Sequence, residues 1–445
     1  MRGRSSTDQK GDFMIKKTLR LLAISAMSLM AIIPQAHAHD YYVNTTLDLN
    51  SGDLCTTAPN GCSLREAIIS ANSIYDDGGN DTNQPDVIHL TIAGTYFLDQ
   101  PGANEDNAAT GDLDIRDNVI IINESGGAVI IDGSGQDRVF DIFDDMTGNQ
   151  AFATFEGLII QHGVADNGGG IRGRNINLVD STVQNNQALF NGGGIYGVAT
   201  LIGSSIYANQ AGVKGGGIYA LDGVSSALNS TFSSNMADDP AVGAGGGIYN
   251  DQYSRFSLTQ VTLNNNYALK GASLTNVGTM LSLENTIVAN SPIVPSCFGS
   301  VNSLGHNLNS DNFCGFSAPG DLVNTPALLG PFQNNGGKTG THNPLAMSPA
   351  INAGKDLSSI TQKDQRGFSR IASFDIGAVE YQAPVSFTPD DEDRSEIYKY
   401  PLFDPTIWMG KKKNISINPG KTAKPLINLK KISTNQKSIK GNVSN

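Results

Sequence analysis

Residues 168–186, GGGIRGRNINLVDSTVQNN, and 192–209, GGGIYGVATLIGSSIYAN, are two copies of one pattern, and three more follow. The opening GGGI recurs at 215–218 and 245–248 and in a worn form, GASL, at 271–274. Each copy closes on a hydroxyl residue, an apolar residue, two variable positions and an asparagine. The closings are Thr182-Val183 to Asn186, Ser205-Ile206 to Asn209, Thr231-Phe232 to Asn235, Thr262-Leu263 to Asn266 and Thr286-Ile287 to Asn290. Successive asparagines lie 23, 26, 31 and 24 residues apart, the spacing of a solenoid coil. A unit this short cannot bury its own apolar face and must stack on its neighbours.

The repeat is poor in helix formers. Its apolar residues sit in short β-branched runs between Gly, Asn, Ser and Asp, which reads as brief strands separated by turns. A fixed period sets like residues above one another on parallel strands about 4.8 Å apart. Ile171, Ile195, Ile218 and Ile248 are then expected to form an inward apolar ladder. Asn186, Asn209, Asn235, Asn266 and Asn290 are expected to form a structural ladder of amide-to-amide bonds. The triple glycines allow a tight turn with close backbone approach. The expected fold is all-β: a single-stranded, right-handed parallel β-helix with a short N-terminal capping helix and a flexible C-terminal tail.

Toward the N-terminus, Met14 opens a leader-like segment, with Lys16, Lys17 and Arg20 preceding the apolar run Leu21–Ile33. Ala36-His37-Ala38 offers a small-x-small cleavage site, so 1–38 reads as a signal peptide with an upstream extension and a mature start near His39. The apolar run is shorter than the roughly 20 residues of a comfortable span, so no transmembrane segment is expected in the mature chain. Four cysteines stand in two close pairs, Cys55 with Cys62 and Cys297 with Cys314. Three connectivities are open, and proximity favours the two local disulfides, suited to an oxidising compartment. Ser63-Leu64-Arg65-Glu66 is a capping box, and Leu64, Ala67, Ile68 and Ala71 share one helical face. That helix is the candidate cover for the open end of the solenoid. Leu158–His162 forms a further coil, in which His162 is placed in the asparagine column as a ladder residue.

CSLREA at 62–67, EDNAATGDLDI at 105–115 and IIDGSGQDRVFDI at 130–142 resemble the N-terminal part of bacterial CSLREA-domain proteins. GGGI together with Phe232-Ser233-Ser234-Asn235 resembles the repeats of polymorphic outer membrane proteins. SPAINAG at 348–354, DQRG at 364–367 and DIGAVEY at 375–381 resemble the choice-of-anchor Q domain. The resemblance implies a pectin-lyase-like β-helix exported to the outer membrane surface or beyond, and carries no catalytic residue set. The expected organisation is 39–150 as an N-terminal cap and first coils, 151–295 as the repeat β-helix, 296–381 as C-terminal coils and cap, and 382–445 as a basic, disordered tail.

Charge divides the chain. Residues 39–397 carry 14 basic and 39 acidic side chains, whereas 398–445 carry ten lysines and one aspartate. A body this acidic repels nucleic acid, whose recognition needs a basic footprint. Partners are therefore sought among surface glycans and envelope components, and the sequence fixes no oligomeric state.

Polysaccharide chemistry would need paired carboxylates or an acid cluster with a base on one face. Asp144-Asp145 and Asp238-Asp239 are adjacent acids in turn contexts. Arg172, Arg174 and Lys214 are the basic residues between His162 and Arg255. None of these forms a catalytic motif, and solvated turn residues are the better reading. No cofactor is expected. GGND at 78–81 makes calcium a weak candidate, as a single copy of a nonapeptide start. Tyr196, Tyr219 and Tyr249 follow the inward isoleucines and should face outward, either as a glycan-contact platform or, preferably, as a stack that stabilises the sheet. The expected function is a non-catalytic, exported surface for adhesion or for envelope and glycan interaction. A lyase or hydrolase of acidic polysaccharides on the same scaffold is the alternative.

Overall fold

The structure, a computed structural model, describes residues 39–51, 55, 62–73, 84–103, 105–143, 151–292, 295–371 and 373–382. The leader, GGND at 78–81, Asp144-Asp145 and the basic tail beyond residue 382 lie outside the described residues. The repeats wind into a parallel β-helix. Strands of successive coils pair in parallel along a 16-stranded, a nine-stranded and a five-stranded sheet. The register is the one the repeat spells: Ile171 pairs with Ile195, Ile195 with Ile218, Ile218 with Ile248 and Ile248 with Leu274. All five of these side chains are fully buried. The glycines before them are required by space as well as by conformation. Gly192 has φ +67°, and a Cβ on Gly193 would lie 2.5 Å from the Gly216 carbonyl oxygen of the next coil.

Asparagines hold the turn of each coil to the next. The Nδ2 of Asn186, Asn209 and Asn235 each donates at 3.0 Å to the Oδ1 of the asparagine one coil on, ending at Asn266. Each of those oxygens also accepts the backbone N–H of the preceding asparagine. Two members depart from the expected column. Thr262 pairs with Ile287, not Thr286, so the last closing is displaced by one residue. Asn290 therefore leaves the ladder and donates to Asn264 Oδ1 at 2.8 Å. His162 likewise stands one place early, and Gly163 occupies the position over Asn186, donating its N–H to Asn186 Oδ1 at 2.9 Å. Both residues sit in the left-handed column (His162 φ +56°, Asn185 +54°, Asn265 +57°, Asn290 +51°), which asparagine tolerates and a tight turn demands.

The helix Leu64–Ala71 forms with its capping box intact, Ser63 and Glu66 bonding each other's backbone N–H. It closes on the first strands of the core. The Asn72 amide donates to the Asp114 carbonyl at 2.7 Å and accepts from the Arg116 N–H at 2.8 Å, occupying the edge of Leu113–Ile115.

Coils do not continue through the whole of 296–381. After Leu308–Asn309 and a last bridge to Leu322, the chain turns back, and residues 327–382 lie along the outer face of the nine-stranded sheet. The hydroxyl column of the repeat faces outward to receive this strap. Ser205 Oγ donates to the Gly340 carbonyl at 2.6 Å, Thr231 Oγ1 to Gln365 Oε1 at 2.6 Å, and Thr262 Oγ1 accepts the Ala378 N–H at 3.0 Å. His342, part of the strap, is buried against the sheet. Its Nε2 lies 3.0 Å from Ser233 Oγ and 3.2 Å from Asn264 Nδ2, its Nδ1 2.7 Å from the Gly330 carbonyl, and Phe332 stacks on Tyr207 beside it.

Two outcomes are expected. Asn209→Ala removes a member that bonds both neighbouring coils and leaves the Asn186 N–H unpaired, so denaturant unfolding should register a loss of about 3 kcal/mol. Burial holds the His342 imidazole below its ordinary pKa. Below pH about 6.5 the unfolded chain gains a proton that folded His342 refuses, so the strap weakens as pH falls. Protection factors in 327–382, corrected for the intrinsic exchange rate at each pH, should fall between pH 6.5 and 5 in the wild type, and the fall should be absent in His342→Gln.

Candidate functional site

One column of side chains on the 16-stranded sheet gathers most of the chemistry. Asp114 pairs in register with Asp141, Asp141 with Arg172, Arg172 with Tyr196, Tyr196 with Tyr219 and Tyr219 with Tyr249. Two stacked acids thus lead into one arginine and three stacked tyrosines.

The acid end is assembled by three sequence motifs. Arg65 of CSLREA is buried and grips Asp48 through Nε at 2.6 Å and Nη2 at 3.0 Å. Its remaining N–H groups donate to the carbonyls of Ala108, Gly111 and Asp112. The GDLDI approach is thereby wound round the guanidinium, with Ala108 at φ +55° and its N–H on Asp114 Oδ2 at 2.6 Å. Arg138 of RVFDI donates from Nε to Asp112 Oδ2 at 2.8 Å and lies 3.3 Å from Asp141 Oδ2. Arg172 donates from Nε to Asp141 Oδ1 at 2.8 Å and pairs through Nη2 with Oδ2.

Three buried carboxylates face two guanidinium groups here. Burial pushes Asp112 up to about 8, reinforced by the neighbouring charges of Asp114 and Asp137. Burial raises Asp114 to about 7 against the Ala108 N–H, and it raises Asp141 despite Arg172. One oxygen from each of Asp112, Asp114 and Asp141 falls within 4.8 Å of the others, a spread that suits a calcium-sized ion more than magnesium. Arg138 and Arg172 already supply positive charge to two of the three. As it stands, the cluster is a buried ion network that locks the first coils together. Its carboxylates are at most 3% exposed, too little surface for a polymer to lie on.

The tyrosine end is tighter than an open platform. The rings stack with centroids 5.1 and 5.0 Å apart. Tyr219 and Tyr249 are buried against Ala244 and Leu221, and Tyr196 alone of the three is half-exposed. Lys214 Nζ sits 4.8 Å over the Tyr249 ring, and burial beside Asp251 raises the Tyr219 phenol. Strand alternation turns the three rings out of the core and stacks them, and neighbouring turns cover Tyr219 and Tyr249.

The other singled-out residues lie apart from this column. Asp238 accepts from Gln210 Nε2 at 2.7 Å, and Asp239 accepts the Ala241 and Val242 N–H groups of its own turn. Arg174 donates to the Asp222 carbonyl. Cys55–Cys62 and Cys297–Cys314 are disulfide-bonded, near the helix and near the last coils. Asp112, Asp114, Asp141 and Arg138 belong to no catalytic pattern in the sequence. A signal was present: GDLDI and RVFDI each set an aspartate between two apolar residues of a short strand, where alternation faces it away from the core.

No protein-family model matches this chain, and no curated protein matches it. The CSLREA, choice-of-anchor Q and polymorphic outer membrane protein resemblances thus stay at the level of short motifs. Among solved structures, pectate lyase Pel9A aligns over 78% of this chain and 98% of its own, with 15% sequence identity and a TM-score of 0.39. The parallel β-helix itself is established by the strand register described above.

The raised carboxyls set a pH dependence. Between the ordinary aspartate value and about 8, the folded chain holds protons that the unfolded chain has lost, so this cluster's contribution falls as pH rises through that window. Asp114→Asn is neutral throughout and should stabilise the protein by about 1 kcal/mol or more at pH 8, with a smaller gain at pH 5, in paired thermal melts.

Proposed function

We propose that the protein is exported and serves as a non-catalytic, rigid β-helical surface for adhesion or for contact with envelope components and surface glycans. The observation that carries this reading is the state of the acids. The three-carboxylate cluster among the described residues is buried, with Asp112 and Asp141 paired to arginines and Asp114 bonded to the Ala108 N–H, holding a fold together instead of facing a groove. Chemistry on a polysaccharide needs acid and base groups within hydrogen-bond reach of the bond that breaks. The accessible part of the same column is Arg172 and Tyr196, a cation one coil from an aromatic ring, which is a contact chemistry for an acidic sugar.

The two local disulfides, the leader-like N-terminus and the acidic body accord with life outside the cytoplasm. The same scaffold also leaves open a lyase or hydrolase of acidic polysaccharides, and one experiment separates the two readings. The mature chain is incubated with a panel of uronate-containing and neutral polysaccharides, scoring both retention and release of unsaturated or reducing ends. Retention without release is expected, with weaker retention in Tyr196→Ala. Release of unsaturated ends would establish the enzymatic alternative.

A further inference from the structure

The left-handed corner that carries Asp180 and Gly203 in earlier coils sets Asn229, Gln260 and Asn285 one above another beneath the strap. The backbone fixes their order: the Asn229 N–H donates to the Thr259 carbonyl and the Gln260 N–H to the Glu284 carbonyl. Both asparagines bond the strap directly. Asn229 Nδ2 donates to the Lys363 carbonyl at 2.8 Å, and its Oδ1 accepts from Arg370 Nη2 at 3.0 Å. Asn285 Nδ2 donates to the Lys355 carbonyl at 2.8 Å, and its Oδ1 accepts the Lys355 N–H at 2.9 Å. Gly377 links the two ends. Its N–H donates to the Asn285 carbonyl at 2.8 Å, and its carbonyl accepts from Arg370 Nη2 at 2.9 Å.

Gln260, between them, is the exception. It is 0% exposed, and among the described residues neither its Oε1 nor its Nε2 has a hydrogen-bond partner. Arg370, 5% exposed, also has an unpartnered atom, Nε, and no other buried side-chain nitrogen or oxygen of the described strap shares that state. Buried polar groups without partners are costly, and native folds satisfy them with protein or with solvent. Charge is already balanced here, since Glu380 Oε2 lies 3.2 Å from Arg370 Nη1. The seam therefore calls for a small neutral group that both accepts and donates, which is the chemistry of water.

We propose that ordered water is bound in the seam at Gln260, accepting from Gln260 Nε2 and Arg370 Nε and donating to Gln260 Oε1. It completes, for the longer glutamine side chain, the corner that asparagine completes directly in the coils on either side. The strap is pressed close at this point: a Cβ on Gly377 would lie 2.7 Å from Ile287 Cδ1 and 2.9 Å from Thr262 Oγ1. Water held there leaves only when the strap lifts, so its residence time measures that opening.

Oxygen-17 magnetic relaxation dispersion counts waters that tumble with the protein. The full chain is compared with Gln260→Met, which keeps the length of the side chain and removes both amide atoms. The wild type is expected to hold one or more long-lived waters that the variant lacks. Equal counts in the two folded proteins would overturn the site. A high-resolution crystal map of the wild type, which does not depend on the variant folding, is expected to show density bonded to the Gln260 amide and to Arg370 Nε. A map with no density there, or with the amide bonded to protein atoms, overturns the proposal. Crystals soaked in bromide are expected to give no anomalous peak at Gln260; a peak would make the ligand an anion and overturn the assignment to water.

Discussion

The fold depends on backbone and side-chain amides being satisfied from one coil to the next. A parallel solenoid has no hairpins to tie its strands locally, so each turn must find its partners in the turn before and after it. The asparagine ladder from Asn186 to Asn266 does this at one corner of the coil, where main-chain groups would otherwise be buried without partners. Ser181 and Ser204 repeat the device at the next corner, each donating its N–H to the hydroxyl of the serine one coil on. Once these columns are in register, every isoleucine behind the glycines falls into the core with no further instruction.

Satisfied corners leave the outer faces free to differ, and the molecule uses two of them differently. On the nine-stranded sheet, small hydroxyl residues let a returning strap approach the backbone. Gln365 spends its amide on Ser205, Thr231 and Thr339 together. Arg370 reaches Asn229, the Gly377 carbonyl and Glu380. On the 16-stranded sheet a single outward column changes character along the axis, from buried acids through Arg172 to stacked tyrosines. The acid end is where Arg65 of the capping helix, the GDLDI strand and the RVFDI strand meet. The three N-terminal motifs are thus parts of one closure that gives the first coil a preceding surface to lie on.

That closure also explains why acids in a β-helix need not mean chemistry. Asp112 and Asp141 share Arg138, Asp141 takes Arg172 as well, and Asp114 is spent on the Ala108 N–H. Groups bound in this way cost stability as carboxylates, which is the physical meaning of their raised pKa values.

Much of this was legible in the residues. The period, the inward Ile171–Ile195–Ile218–Ile248 row, the capping box at Ser63 and the two cysteine pairings follow from local rules, because like residues at a fixed spacing have only one way to stack. The same logic slipped by one residue at Asn290 and His162, since an asparagine in the left-handed column and one in the ladder column look alike in a line of letters. Three matters were decided by tertiary structure alone. Residues 327–382 leave the coil path and return over Ser205, Thr231 and Thr262, a choice made by distant surfaces fitting each other. Tyr219 and Tyr249 are covered by neighbouring turns, which strand alternation cannot report. Asp112, Asp114 and Asp141 converge across 29 residues of sequence because strands of successive coils lie one above another. Sequence by itself determined how the chain repeats; only the folded chain decided what is laid against the repeat, because contacts between non-neighbouring coils have no period to betray them.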